Sequence, residues 1–467
     1  KKKKYWWKKM KVIICGAGEV GKTIAEHLSK EDNDVTVIDQ SQENINEIND
    51  TLDVNTIIGS GSQPSILDKA GARNAEMIIA VTQSDEINMI ACEVANSQFN
   101  VPLKVARVRD QDYLDPNYQS LFSKNQISVD LIISPELEVA EAIRRRLIAP
   151  GAFDIIPFSE KKIVLLGIKI EKNCPLINNT TKNISSSFAD LKMNIVSLTR
   201  KDSIIVPGDN DKIKIGDSVY VVADTEHLNR VMIAFGHEET KANSVIIVGG
   251  GNIGVSLAKK LEDSKFGAKT KLIELNKKRA ETITSKLNDT LIINGNSLDP
   301  EILKEAKIFE TETIIPVTNK DEVNILTSLL AKKQGCKKTI TLINDSTYRS
   351  ILEPLGIDVV LSPKSITVSR ILSYIRKGKI RQVYSVKEGE GEVMEADAVA
   401  STIVNKKIGD LKLPNGVKMG AILKKNNDEV VIAKDDVTIE NGDRIILFSL
   451  SKMIKKVEKL FSVSFGF

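Results

Sequence analysis

Histidine is nearly absent from this 467-residue chain: His27, His227 and His237 are its whole supply of imidazole. None has a cysteine or carboxylate at a metal-ligand spacing, which excludes a histidine-built metal centre and leaves little material for general acid–base chemistry. Cysteine is as sparse. Cys15, Cys92, Cys174 and Cys336 stand alone, at spacings that make neither a zinc site nor a disulfide framework, and point to a reducing cytoplasm. No apolar run approaches the roughly 18 to 20 residues of a membrane helix, so direct membrane insertion is not expected. Neither sign of charge dominates: 66 Lys+Arg stand against 62 Asp+Glu, and six of the lysines lie in the first nine residues, KKKKYWWKK. The rest is near neutral and lacks the basic face that nucleic-acid binding needs, so no nucleic-acid partner is expected. Residues 1–9 lack the apolar core and cleavage site of a signal peptide and precede Met10, so they read as a tag or non-native leader. A basic, tryptophan-bearing arm on a membrane surface is the alternative.

What is present is an internal repeat. Ile13-Ile14-Cys15-Gly16-Ala17-Gly18-Glu19-Val20-Gly21 recurs as Ile246-Ile247-Val248-Gly249-Gly250-Gly251-Asn252-Ile253-Gly254, roughly 230 residues later. Asp85-Glu86-Ile87-Asn88 recurs as Asp321-Glu322-Val323-Asn324, Ser134-Pro135 as Ser362-Pro363, and Gly216-Asp217 as Gly442-Asp443, all in the same order. Within each copy, short apolar runs such as KVIIC, DVTVID, NTIIG, MIIAVT, LKVARV and DLIIS alternate with amphipathic stretches, the pattern of a parallel sheet covered by helices on both faces. A helix over about Glu136 to Leu147 follows, repeated over Ile366 to Arg376. Beyond it the texture turns β-rich, with IVLLGIKI, NIVSLTR, SIIVP and SVYVVAD in the first copy and IVNKKI, AILKK, EVVIA and RIILFS in the second. The fold class is therefore α/β: two tandem Rossmann-like parallel-sheet domains, each followed by a small α+β C-terminal domain. The expected boundaries are residues 10–133 for the first Rossmann-like domain, 134–150 for a connecting helix and 151–236 for the first small domain. In the second copy they are 242–361, 362–378 and 379–467.

The glycine loops carry the chemistry. Gly16 makes the tight turn after a strand, Gly18 lets backbone N–H groups approach a pyrophosphate at a helix N-terminus, and Gly21 allows close helix–sheet packing. Asp39 ends the next strand about 20 residues on, where a carboxylate accepts hydrogen bonds from ribose hydroxyls and disfavours a 2′-phosphate. Gly249, Gly251, Gly254 and Glu274 repeat the set. Thr82 and Gln83 at the end of the fourth strand, Arg107 at the end of the fifth, and Thr318 and Asn319 in the second copy are expected to line the same crevices. Leu342 stands near the place of Arg107, so the two sites are not expected to be equivalent. Gly16 to Thr23, GAGEVGKT, also fits the P-loop pattern, with Lys22 on phosphates and Thr23 on magnesium. The second copy keeps the glycines but drops the lysine, and Asp39 has no task in a P-loop.

The loop GAGEVG with Asp39, and the segments GSGSQPSILDKAG, AVTQSDEINMIACEVA, KVARVRD, VTNKDEVNIL and LSPKSITVSRIL, resemble the TrkA family, the peripheral NAD-binding subunits of Trk potassium uptake systems. The resemblance runs from Met10 to the C-terminus. It implies a cytoplasmic regulator, without enzymatic activity, at the inner face of the cell membrane. There it would assemble as a homo-oligomer, a tetrameric gating ring, beneath a membrane potassium-transporting subunit. It further implies NAD(H), or ATP and ADP, as ligands, with contacts from Gly16, Ala17, Gly18, Glu19, Val20, Asp39, Thr82, Gln83 and Arg107. In the second copy the implied contacts are Gly249, Gly250, Gly251, Asn252, Ile253 and Glu274. No His, Lys or Tyr stands in an evident catalytic constellation. An NAD-dependent oxidoreductase with a duplicated Rossmann fold is the alternative, and no catalytic or metal-binding residue is expected on the regulatory reading.

Overall fold

The computed structural model describes residues 9–461 apart from 31–32, 123–125, 202, 239–240, 263–265, 353 and 376–379. Residues 1–8 of the leader, and Arg376 at the end of the second connecting helix, lie outside the described residues. The chain divides into two compact units, residues 1–138 with 364–375, and residues 139–363 with 376–467.

In the first unit β1 (Lys11–Cys15), α1 (Glu19–Lys30), β2 (Asp34–Asp39), α2 (Gln42–Thr51), β3 (Asn55–Ile58), α3 (Pro64–Lys69), β4 (Met77–Ala80), α4 (Asp85–Ser97), β5 (Leu103–Arg107) and β6 (Leu131–Ile133) follow in order. The strands are parallel, in the spatial order β3-β2-β1-β4-β5-β6. Because successive strand residues point to opposite faces, Val12 and Ile14 pack on one side of β1 while Ile13 and Cys15 pack on the other, and both sides are apolar. Ser41 caps α2, accepting from the Asn44 N–H, and Ser84 caps α4, accepting from the Ile87 N–H. The winding reverses between β1 and β4, and in open parallel sheets ligands bind at such a switch point, beyond the carboxyl ends of the strands.

The connecting helix α5 (Pro135–Ile148) leaves this sheet, and from residue 139 onward it belongs to the second unit. There the Leu147 carbonyl accepts from the Ala242 N–H at 3.0 Å, and Glu141 pairs with Lys260 at 3.5 Å. The first small domain contains β7 (Ala152–Phe158), β8 (Ile163–Lys169), α6 (Thr181–Ser187), β9 (Met193–Arg200), β10 (Ser203–Ile205), β11 (Ser218–Asp224) and α7 (Leu228–Ala234). Its antiparallel sheet runs β10-β9-β11-β8-β7.

The second copy repeats the plan. Its parallel sheet contains β12 (Ser244–Val248), α8 (Asn252–Glu262), β13 (Lys269–Glu274), α9 (Lys277–Thr284), β14 (Leu291–Asn294), α10 (Pro300–Glu305), β15 (Thr313–Pro316), α11 (Asp321–Lys333), β16 (Lys338–Leu342), α12 (Arg349–Leu352) and β17 (Val359–Leu361), in the order β14-β13-β12-β15-β16-β17. Its connecting helix is α13 (Pro363–Ile375). From residue 364 that helix belongs to the first unit, where Val368, Ile371 and Leu372 join Ile14, Ile79, Val105 and Ile133 in one core. Burying those three side chains contributes on the order of 5 kcal/mol, so α13 is an integral cover of the first sheet. Each connecting helix thus completes the unit that holds the other copy's Rossmann-like sheet.

The last sheet, β18-β19-β22-β20-β21, is built from β18 (Ile380–Val386), β19 (Gly391–Asp397), β20 (Val417–Leu423), β21 (Val430–Ile432) and β22 (Arg444–Leu450), and α14 (Ile454–Leu460) ends the chain's described fold. The two small sheets share a core in which Leu165, Val196 and Val222 meet Val393, Ala421 and Phe448. One expected strand is absent: IVNKKI, residues 403–408, is a turn. Ile403 is a buried anchor there, Asn405 takes a left-handed φ of 62°, and Lys407 forms only an isolated bridge with Thr438. Conversely, β19 was hidden by its polar residues, because Glu392 and Glu395 are buried and Glu395 accepts from the Ser159 hydroxyl at 2.9 Å.

Candidate functional site

The first glycine loop closes on itself through backbone geometry that admits few side chains. Gly16 takes φ 110° and donates its N–H to the Ile38 carbonyl at 2.8 Å. A Cβ on Gly21 would stand 1.8 Å from the Gly16 carbonyl oxygen, so α1 can start this close to the turn only with glycine there. Gly18 differs, because a Cβ there meets nothing within 4 Å. Its position faces open space, and among the described residues the N–H groups of Gly18 and Glu19 make no hydrogen bond. These are the unpaired donors of a helix N-terminus, which favour an anion.

Asp39 reaches from the end of β2 to this loop. Its Oδ2 accepts the Ala17 N–H at 2.6 Å and its Oδ1 accepts the Ser41 N–H at 2.8 Å. A carboxylate has about four acceptor positions, so two remain for hydroxyls of a bound molecule. Across the switch point the Thr82 N–H and hydroxyl both donate to Asn88 Oδ1, at 2.9 and 2.7 Å, and Asn88 Nδ2 donates to the Arg107 carbonyl at 2.9 Å. Asn88, fully buried, therefore ties the ends of β4 and β5 together. Gln83 is exposed beside it.

Arg107 is half-buried, and its Nε is among the buried side-chain atoms that have no hydrogen-bond partner among the described residues, together with Asp85 Oδ1, Ser134 Oγ and Glu136 Oε2. Burial, and next the neighbouring Arg109, pull the Arg107 guanidinium below its usual range. Such a cation is relieved by an anion brought to it.

The second crevice repeats the frame. Gly249 has φ 105° and donates to the Ile273 carbonyl, Glu274 Oε2 accepts the Gly250 N–H at 2.6 Å, and Glu274 Oε1 accepts the Asn276 N–H at 2.7 Å. Gly251 faces open space like Gly18, Asn252 is exposed, Ile253 is half-buried, and Gly254 packs against Gly249. The Thr318 hydroxyl donates to Asn324, whose amide donates to the Leu342 carbonyl, while Asn319 is exposed. Two details differ. A Cβ on Gly250 would strike Ile283 Cδ1, and Arg279 Nε donates to the Gly250 carbonyl at 2.8 Å, a bond with no counterpart at the first loop among the described residues.

All the expected residues of each copy therefore gather at one sheet edge. Sequence reasoning missed Asn88 and Asn324 as braces, Asp85, which accepts from the Arg109 and Asp110 N–H groups at 2.8 Å, and Arg279. The repeated DEIN and DEVN were the available signal for the first three. The P-loop alternative fits poorly, because Lys22 pairs with Glu47 and the Thr23 hydroxyl donates to the Glu19 carbonyl at 2.8 Å. Among the described residues no group of His, Cys, Asp and Glu could hold a metal ion, and no helix is long and apolar enough to cross a membrane. All four cysteines are buried, and burial pushes the Cys15 thiol up to about 12, far from a reactive thiolate.

Fold and loops together define a class: a duplicated Rossmann-like protein with two crevices of the dinucleotide-binding type, each followed by a small antiparallel domain. The chain belongs to the TrkA family. The TrkA-N domain matches residues 12–135 and 245–363, and the TrkA-C domain matches residues 165–236 and 394–462. It is similar to the Trk system potassium uptake protein TrkA of Azorhizobium caulinodans, 41% identical over 459 residues, 98% of this chain and 100% of that one. The TrkA of Halomonas elongata is 38% identical over 463 residues, 98% of this chain and all of that one. Among solved structures, the GsuK RCK domain is similar in fold, with a TM-score of 0.60 at 17% identity over 97% of this chain and 95% of that one.

Proposed function

We propose that this chain is the nucleotide-reading regulatory subunit of a membrane potassium uptake transporter. Its relatives carry the name of a Trk potassium uptake protein over nearly their full length. The observation that carries the nucleotide reading is the first glycine loop, with open Gly18, unpaired N–H groups and Asp39 bonded across to Ala17. NAD(H) is the ligand this arrangement favours: phosphates at the start of α1, a ribose at Asp39, and Arg107 as a further cation. The half-buried Asp39 carboxylate opposes a 2′-phosphate, and ATP or ADP uses the same loop. The residues assigned as contacts are Gly16 to Val20, Asp39, Thr82, Gln83 and Arg107, with Gly249 to Ile253, Glu274, Thr318 and Asn319 in the second copy.

Regulation then follows from differential binding. Copies of the chain form a closed ring, four in number, at the inner face of the membrane beneath the transporter. Two nucleotides with unequal affinity for two ring conformations bias the ring, and each 1.4 kcal/mol of difference shifts the populations about tenfold. On this reading the crevices bind nucleotide without chemistry. The test is potassium flux through the chain's transporter in vesicles, with NADH, NAD, ATP or ADP added to the protein's side. Flux that changes with the nucleotide, and loses that change in Gly18→Val, supports the reading; flux indifferent to all four contradicts it.

A further inference from the structure

The second copy's connecting helix delivers a cation to the first copy's glycine loop. Lys364 Nζ lies 2.7 Å from Glu19 Oε2, both within the first unit. Glu19 is the first residue of α1, immediately after the open Gly18, and the ammonium sits at the tip of its side chain, on a flank of α1 where Glu26 also feels its charge. Its place is set by its helix rather than by Glu19 alone. Val368, Ile371 and Leu372 bury α13 in the core, and Arg370 pairs with Glu138 at 3.3 Å. The two side chains are unequally free: that of Lys364 is 29% exposed and that of Glu19 is 73% exposed. The repeat sharpens the contrast. Ser134-Pro135-Glu136 in the first copy stands where Ser362-Pro363-Lys364 stands in the second, and Glu136 is buried and holds Arg109 at 3.0 Å. Equivalent helix positions carry opposite charges, and only the lysine is placed at a glycine loop by an ion pair.

We propose that Lys364 is a phosphate-contacting residue of the first nucleotide site, its ammonium exchanging Glu19 for the phosphate groups of a bound nucleotide. The inference rests on the first glycine loop being a nucleotide site. An ion pair with so exposed a carboxylate is weak, and Glu19 is free to turn into solvent when a phosphate, carrying more charge, enters beside it. The consequence is a second-half helix that registers phosphate charge at a first-half site. Nucleotides richer in phosphate hold α13 more firmly.

The test is titration calorimetry of the full-length protein with ATP, in a Gly251→Val background that leaves only the first loop open. Lys364→Met is expected to weaken ATP about tenfold, the loss of one charge-assisted contact, and to make affinity less sensitive to salt. Lys364→Arg is expected to stay within about threefold of the parent, and Glu19→Gln, which removes the competing carboxylate, to bind ATP severalfold tighter. Unchanged affinity in Lys364→Met, or a loss that arginine does not restore and that leaves the salt dependence unaltered, overturns the assignment. If the parent itself binds no ATP and no NADH, the nucleotide reading of the loop has failed instead, and that result is distinct.

Discussion

Asp39 gives the sharpest separation of architecture from binding. Its two oxygens hold the Ala17 N–H at 2.6 Å and the Ser41 N–H at 2.8 Å. Removing them in Asp39→Ala affects the two donors unequally. Ala17 is 4% exposed and finds little water, whereas Ser41 lies at the surface start of α2 and is rehydrated. A net cost of about 2 kcal/mol in unfolding free energy is expected, near the lower end of the range for a hydrogen bond to a charged group plus a buried donor left unpaired. The same change deletes the ribose acceptor and should weaken NADH at the first site by a further tenfold or so. Asp39→Asn keeps one acceptor oxygen but sets an amide N–H₂ against a backbone donor, so its losses should fall between those of the parent and alanine. Denaturant midpoints report the first quantity and titration calorimetry the second. If stability falls while NADH affinity is unchanged, Asp39 is only a brace of the loop and the ribose assignment is wrong. If neither changes, the hydrogen bonds themselves carry no weight.

The two glycines should behave oppositely. Gly21→Ala, whose Cβ would meet the Gly16 carbonyl oxygen at 1.8 Å, is expected to lower the melting temperature by several degrees, while Gly18→Val, with open space around it, should melt like the parent and lose nucleotide at the first site. A Gly18→Val protein that binds nucleotide normally rejects the loop assignment. In the small domains, buried Asp154 is paired with buried Arg146 and accepts from the Tyr220 and Tyr384 hydroxyls, each at 2.7 Å. Arg146→Met strands that carboxylate and should cost about 3–5 kcal/mol in denaturant unfolding, and an effect below 1 kcal/mol would mean the pair is not buried in solution. For pH, burial raises the Cys15 thiol from 9.0 to about 12 and Cys336 to about 11, so the unfolded chain ionises first. Stability from these groups is complete below about pH 9 and declines as pH climbs toward the folded values. A thiol reagent at pH 8 should accordingly label the folded chain far more slowly than the unfolded one, and fast stoichiometric labelling would refute their burial.

The repeat, the strands of the parallel sheets and the glycine loops were legible because each has a local cause. Continuous apolar runs such as KVIIC mark strands buried on both faces, and Gly16 and Gly21 are forced by a turn and a close approach visible in spacing alone. Asp39 was legible as a strand-end acid, but its bond to Ala17 was not, because a side chain's reach across two loops depends on the closed fold. The strand at β19 was lost because two buried glutamates break its apolar pattern, and the partner of Glu395, Ser159, is more than 200 residues away. The packing of α13 on the first copy's sheet was invisible for the same reason: nothing local in Pro363–Ile375 records which sheet the helix will cover. Lys364 is the instructive case, since the Glu136-to-Lys364 difference is plain in the aligned repeats and gains meaning only once α13 lies beside Glu19.

The most direct measurement is titration calorimetry of the full-length protein with NADH, NAD, ATP and ADP in turn, with the mass of the particle determined in the same buffer. Saturable binding to a closed oligomer, with affinities that differ between NADH and NAD or between ATP and ADP, and that fall in Gly18→Val, is the expected result. Binding of none of the four would reduce the glycine loops to inherited architecture and contradict a nucleotide-read regulator.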